Sequence, residues 1–330
     1  MSSRVRARLL VGIAAAASAA LVVGVTVLQA EDEPTAEPAP AQAERRPPPL
    51  ELGLLVRDDP EARALRDAEE LLEDGEREQA RADFEELLAA NPDSVEAAVG
   101  AAIASWPEGT LERLEALVSE QPESGVARLH LGLALLAGGD TEAARREWRE
   151  VERREPDSPA AVRADDILHP EFAPGRPPFV APLEAPPGLE SLTPQEQLDE
   201  LERRAAAGGV EEKLAYGIAL QRVGRPLSAR EAFEAATAAE PDDLPARVAA
   251  AIGRFDKDDP SQTFSRLGPL ASGDDGGVVR YHLGLALSWI GQVEEAKRQL
   301  RLANEEAPNG FYGREAQRLL DRLENVGAAP

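Results

Sequence analysis

Cysteine is absent from the 330 residues. That excludes disulfides, a thiol nucleophile, cysteine-ligated zinc or iron–sulfur clusters, and the lipid-modified cysteine of a bacterial lipoprotein. Histidine occurs three times, too few for a metal site at defined ligand spacing. Lysine is confined to Lys213, Lys257 and Lys297, so nearly all positive charge is arginine. Aromatic residues make up 4% of the chain, a composition that suits Ala- and Leu-rich helices packed on helices better than a β-sandwich. Basic residues are outnumbered, 36 against 61 acidic, giving a formal charge of -25. A nucleic-acid partner is therefore not expected, because phosphate contacts need clustered Lys and Arg.

Charge is missing altogether from Leu9 to Leu28. A helix over that run would match the hydrocarbon thickness of a bilayer. Arg4, Arg6 and Arg8 precede it and Glu31, Asp32 and Glu33 follow, so residues 1–8 are expected in the cytoplasm and the rest of the chain outside. The rival is a cleaved signal peptide. Its best cleavage point follows Ala30, but Leu28 is not small and the apolar run is longer than a signal segment needs. The expectation is a single-pass protein of the cytoplasmic membrane, or a secreted one if the segment is cut. Gly12, Ala16, Ala20 and Gly24 recur every four residues along this run; such a small-residue stripe could pair two anchors into a homo-oligomer, the alternative being that small residues recur by chance in an Ala-rich segment. Residues 29–60, rich in Pro, Ala and Glu, are expected to be an extended tether.

The body repeats with a period near 34 residues. Leu131-Gly132, Leu135, Gly139, Ala144, Trp148 and Pro156 define one unit. The same slots hold Tyr216-Gly217, Leu220, Gly224, Ala229, Phe233 and Pro241, and again Leu283-Gly284, Leu287, Gly291, Ala296, Leu300 and Pro308. A fourth copy has Leu71, Gly75, Ala80, Phe84 and Pro92, and weaker copies begin near Asp93 and Asp242. Mid-helix glycines cost up to about 1 kcal/mol relative to alanine, so they imply close helix–helix approach, with Ala144, Ala229 and Ala296 facing it. Gly75, Gly139, Gly224 and Gly291 fall between helices, where a left-handed conformation is cheap for glycine. The prolines end each second helix.

A longer period overlies this one. Phe84, Pro92 and Ala101-Ala102-Ile103 recur 149 positions later as Phe233, Pro241 and Ala250-Ala251-Ile252. With Asp256–Asp259 inserted, Pro107, Thr110, Arg113, Leu114 and Leu117 match Pro260, Thr263, Arg266, Leu267 and Leu270. Arg128 and His130-Leu-Gly-Leu-Ala-Leu135 then match Arg280 and His282-Leu-Gly-Leu-Ala-Leu287. The pattern is a duplicated three-unit block, about the minimum that buries a continuous core.

These slots resemble the tetratricopeptide repeat (TPR), a pair of antiparallel helices per unit. The resemblance implies an all-α helical-hairpin superhelix of about six units in two duplicated blocks, at 61–168 and 193–325. The second block has a leading helix opened by Thr193-Pro194-Gln195-Glu196, a capping box with proline at the first helical position. The Pro-rich connector 169–192 cannot be helical; it carries Phe172, Phe179, Val180 and Leu183 and is expected to lie along the arrays. Residues 326–330 form a tail.

No P-loop, HExxH, GxSxG or GxGxxG pattern occurs. Asp256-Lys257-Asp258-Asp259 begins like a calcium loop, but Ser261 and Leu267 stand where Gly and Glu are needed. No catalytic, cofactor or metal site is expected, and the chain is not expected to be an enzyme. His130 and His282 occupy one repeat slot and read as packing or hydrogen-bonding residues. By resemblance, TPR arrays bind peptide or protein segments on the face lined by the first helix of each unit. The candidate lining is Leu129, Leu133 and Leu136 in one block and Tyr281, Leu285 and Trp289 in the other, unless neighbouring helices or the Pro-rich connector already cover it. A carboxylate-clamp groove needs several Lys and Arg; Gln221-Arg222 is the only hint. The resulting expectation is a membrane-anchored, extracytoplasmic adaptor for protein partners in an envelope assembly, with a self-associating structural protein as the alternative. The excess of Arg over Lys accompanies GC-rich bacterial coding.

Overall fold

The computed structural model describes residues 46–272 and 277–326, and divides them into two compact units at Leu168/His169. The segment 9–28 expected to cross a membrane, residues 1–8 expected in the cytoplasm, the small-residue stripe, most of the expected tether and nearly all of the tail lie outside the described residues. Among the described residues, no helix is long and apolar enough to cross a membrane.

The first unit contains α1 (Pro60–Glu73), α2 (Arg77–Ala90), α3 (Val95–Ala104), α4 (Thr110–Glu120), α5 (Gly125–Gly138), α6 (Thr141–Arg154) and α7 (Pro159–Leu168). Each helix packs on the next, and α1, α3, α5 and α7 also touch in succession. Three hairpins thus stack with their first helices on one face, and α7 closes the stack. Side-chain caps start the helices where the sequence offers them: Asp59 Oδ1 accepts from Ala62 N at 2.9 Å, and Asp140 Oδ1 from Ala143 N at 2.9 Å.

The second unit opens with α8 (Pro194–Ala207). Its capping box is formed: Thr193 N donates to Glu196 Oε2 at 2.8 Å, and Glu196 N to Thr193 Oγ1 at 3.3 Å. Three hairpins follow: α9 (Val210–Arg222) with α10 (Pro226–Ala239), α11 (Leu244–Ile252) with α12 (Ser261–Leu267), and α13 (Val278–Trp289) with α14 (Val293–Glu306). A 3-10 turn, Gly268–Ser272, extends α12, and α15 (Phe311–Val326) closes the stack. Here α9, α11, α13 and α15 touch in succession. The two units therefore share one plan, with α8 as the addition in the second.

The repeat slots behave as their chemistry requires, with one correction. Pro92, Pro156, Pro241 and Pro308 each lie two residues beyond the last residue of α2, α6, α10 and α14. The four inter-helix glycines have φ between 73° and 96°. The nearest approach at the mid-helix glycines is made by a larger neighbour of the alanines assigned to it, and at Gly284 the backbone of Ala296 shares the contact, its O 3.1 Å from where a Cβ would lie. A Cβ on Gly132 would lie 2.4 Å from Trp148 Nε1, and one on Gly217 2.3 Å from Phe233 Cε1. A Cβ on Gly284 would lie 2.6 Å from Leu300 Cγ. The large residue one turn beyond the alanine fills the glycine's space, because its side chain reaches across the hairpin. Trp148 Nε1 also donates to Leu129 O at 3.3 Å, which pairs the indole N–H inside the core.

Candidate functional site

In the first unit, residues 46–54 run without helix or strand. They were expected within the tether, but they pack on the helices. Burial alternates along them: Pro48, Leu50, Leu52 and Leu54 are buried while Pro49 and Gly53 are exposed. The three leucines join a core made with Leu65 and Ala68 of α1, Val99 and Ile103 of α3, and Ala127, Leu131 and Ala134 of α5. A strap thus crosses the first helices of all three hairpins. Its backbone is read by side chains. Glu51 N donates to His130 Nε2 at 3.1 Å and Leu52 N to Glu69 Oε1 at 3.2 Å. Arg66 Nη1 donates to Leu54 O at 3.1 Å, and Arg163 of α7 pairs with Glu51 at 2.9 Å.

The second unit has the same device. Residues 176–186 of the connector run without helix or strand. Pro177, Phe179, Val180 and Ala181 are buried, and Leu183 is half-buried, so burial here is continuous over 179–181 rather than alternating. Val180 N donates to His282 Nε2 at 3.0 Å. Phe179 N donates to Gln221 Oε1 at 3.0 Å, so the residue that hinted at a carboxylate clamp holds the chain's own backbone. The Phe179 ring stacks on His282 with centroids 5.1 Å apart and meets Phe233 edge-on at 5.5 Å. Upstream, Trp289 Nε1 donates to Pro174 O at 3.2 Å, and Arg176 Nη1 to Phe255 O at 2.6 Å. The connector lies along the array as expected, and it lies on the face of the first helices.

Chemistry fixes the imidazole state. Nδ1 of His130 is 2.7 Å from Val126 O, and Nδ1 of His282 is 2.8 Å from Val278 O. A carbonyl only accepts, so Nδ1 carries the proton and Nε2 is the bare acceptor that an amide N–H requires. Burial disfavours the charged ring and pushes both pKa values down to about 4, against a smaller upward pull from the backbone hydrogen bonds.

The six candidate lining residues fare differently from expectation. Leu129 and Leu133 are buried among Trp148 and Val151 of α6 and Ala160, Ala161 and Ala164 of α7. Tyr281, Leu285 and Trp289 are buried with Val180, Phe255 and residues of α14 and α15. These five offer no free surface, because each first helix is also covered by the closing helix or the strap. Leu136 alone is exposed, at 42%. Burial in the unit's own core, rather than an open lining, is the correction to that reading.

The straps repeat as well, outside the period of the helices. Pro48-Pro49-Leu50-Glu51-Leu52-Gly53-Leu54 and Pro177-Pro178-Phe179-Val180-Ala181-Pro182-Leu183 share Pro-Pro-apolar-x-apolar-x-Leu. The signal was present, but its offset differs from that of the helices because α8 intervenes only in the second unit. The structural register agrees independently: in each strap the histidine takes the N–H that follows the first buried apolar residue.

Elsewhere, a groove of about 530 Å³ between α10, α11 and α12 is lined by Arg247, Arg254 and Arg266, with Glu234 pairing Arg254. Among the described residues, no cluster of His, Asp and Glu is arranged to hold a metal ion.

The profile of the tetratricopeptide repeat family matches residues 126–158, the α5–α6 hairpin with its flanking turns. No curated protein sequence matches the chain. Among solved structures, the chain is similar to one from the APC/C hetero-tetramer Cut9–Hcn1, with a TM-score of 0.31, 14% identity, and coverage of 81% of this chain and 49% of that one. It is likewise similar to human IFIT1 in its dimer with PPP-AAAA (TM-score 0.31, 16% identity, 82% and 66% covered). The same holds for yeast Tom70 (0.31, 13%, 80% and 66%). The chain spans less than two thirds of the length of each, and overlap at this level carries no functional statement. The profile thus matches one hairpin of the chain as a tetratricopeptide repeat, and other hairpins hold the same glycine, alanine and proline slots.

Proposed function

We propose that this protein is a scaffold that binds other proteins outside the cytoplasmic membrane of a bacterial cell, anchored by residues 9–28, within an envelope assembly. The observation that carries the binding role is that each three-hairpin block grips an extended segment by both backbone and side chain. The uncharged run from Leu9 to Leu28, with Arg4, Arg6 and Arg8 before it, supports the anchor and its direction. A scaffold of this kind turns over no substrate and needs no cofactor, in keeping with a sequence that carries none of the common catalytic motifs.

Two measurements test the proposal. A C-terminal reporter that is active only outside the cytoplasm should be active and stay with membranes after a salt wash. Activity confined to the cytoplasm would refute the topology, and a soluble exported product would mean cleavage. Crosslinking in intact cells, followed by purification through a tag on the full chain, should recover defined envelope proteins. Recovery of the chain alone would favour the second reading, a self-associating structural protein, which rests on the Gly12, Ala16, Ala20 and Gly24 stripe.

A further inference from the structure

The duplication supplies an internal comparison for the groove between α10, α11 and α12. At the offsets of 149 and 153 that relate the two blocks, Arg247, Arg254 and Ser265 stand where the first block has Ala98, Ser105 and Glu112, and Arg266 matches Arg113. In the first block Arg113 is satisfied locally: its Nη1 donates to Ser105 Oγ at 2.6 Å. In the second block Arg254 replaces that serine and pairs with Glu234, so Arg266 has lost the acceptor. Among the described residues, neither Arg247 nor Arg266 has a side-chain partner, and both are exposed. Thr237, on the α10 wall, spends its hydroxyl on the carbonyls of Phe233 and Ala246. Over the matched positions the first block carries one cation and two carboxylates, whereas the groove carries three cations and one carboxylate. Like charges gathered without acceptors repel one another, so folding alone does not favour this exchange. The missing partner is anionic.

We propose that this groove docks an acidic, extended segment of a partner protein, whose carboxylates pair with Arg247 and Arg266 across a floor of Ala250, Ala251 and Leu270. This deepens the scaffold reading, on which it rests, by naming a partner class and a surface to which the straps contribute no lining. The guanidinium fork is always charged and matches a carboxylate bidentately. The groove, about 530 Å³ and open to solvent, would leave a small anion largely hydrated, whereas a chain lying along it meets several guanidinia at once. A nucleic acid brings a charge at every step against a protein of net charge -25, and a second copy of this chain brings another -25. An acidic peptide carries fewer charges. At physiological salt the wider field is screened beyond about 8 Å, so the groove's own cations decide the contact.

The test uses the full chain in detergent and a fluorescent peptide of alternating glutamate and alanine, with a glutamine version as the neutral control. The glutamate peptide should bind, more weakly as salt is raised, and the glutamine peptide should bind at least tenfold less tightly. Arg247→Gln with Arg266→Gln should weaken binding of the glutamate peptide at least tenfold. Arg113→Gln, at the matching place in the first block, should leave it unchanged. Both groove side chains are exposed, so helix content should survive the double substitution; Arg247→Gln alone serves if it does not. No binding by the wild type, or equal binding by a folded double variant, would overturn the proposal. Displacement of the peptide by inorganic phosphate, molar for molar, would overturn it in favour of a small-anion site. Tighter, arginine-dependent binding of a single-stranded DNA oligomer, or a wild-type dimer that the double substitution dissociates, would overturn it in favour of those occupants. Crosslinking in cells tests the scaffold separately. Recovery of the chain alone would refute the scaffold whatever the peptide result, and defined partners with no peptide binding would refute the groove alone.

Discussion

His130 Nε2 accepts the backbone N–H of Glu51, 79 residues earlier in the chain. His282 and Val180 make the same bond across 102 residues. Each bond ties an extended strap to the third hairpin of its block, and each ring is oriented by a carbonyl one turn before it. A histidine in a repeated slot thus acts as a neutral acceptor inside an apolar core.

Replacing His130 with Phe keeps the bulk of the ring and removes the acceptor, leaving the Glu51 N–H unmade. An unpaired buried polar group costs about 1–3 kcal/mol. We expect a loss of that order in the unfolding free energy of the first unit, with selective loss of hydrogen-exchange protection at Glu51. His282→Phe should act alike on the second unit at Val180. Unchanged protection at both amides would mean the rings do not hold the straps.

Acid should weaken both units through these rings. The pKa of each is about 4 in the fold and about 6.5 in the unfolded chain. Between those values the unfolded state binds more protons, so stability rises with pH there and is level above about pH 7. Each histidine then costs roughly 3 kcal/mol by pH 4. Carboxylates such as Asp59, held down to about 2 chiefly by its hydrogen bond from Arg57, act at lower pH. Urea midpoints at pH 7, 5.5 and 4.5 should fall for the wild type and fall less for His130→Phe with His282→Phe. Equal slopes would remove the histidines from the account.

Gly132→Ala forces a methyl group into the Trp148 ring. Overpacking of this kind costs about 1–3 kcal/mol, more than the better helix propensity of alanine returns. Gly138→Ala is the control, because its nearest neighbour would be Leu111 Cδ1 at 3.9 Å; it should be neutral or slightly stabilising. Thermal unfolding separates the two, and equal melting temperatures would misplace the tight contact.

Thr193→Ala removes the oxygen that caps α8 and half of its box with Glu196. A lost cap costs typically about 1 kcal/mol. Denaturant unfolding should show a loss of that size in the transition of the second unit, and a larger loss would mean that Thr193 does more than cap.

The amino-acid order already shows the helices, their turns and their pairing into hairpins. Those features are local: a glycine such as Gly139 with positive φ, a proline such as Pro156 two residues past a helix, and apolar residues at helical spacing each act within a few residues. It also showed the duplication, down to Arg128 with Arg280 and His130 with His282. What the shared face holds emerges from the stacking of the hairpins. Leu50 and Phe179 lie in stretches whose proline content reads as tether, and an isolated extended segment has no hydrogen bonds of its own to declare it. Its partners lie far along the chain, on helices brought side by side only when the hairpins stack. The same stacking turned Leu129, Leu133, Tyr281, Leu285 and Trp289 from a candidate lining into core. Whether an apolar helix face is open depends on what packs over it, and α7, α15 and the straps do so through contacts that local sequence pattern does not encode.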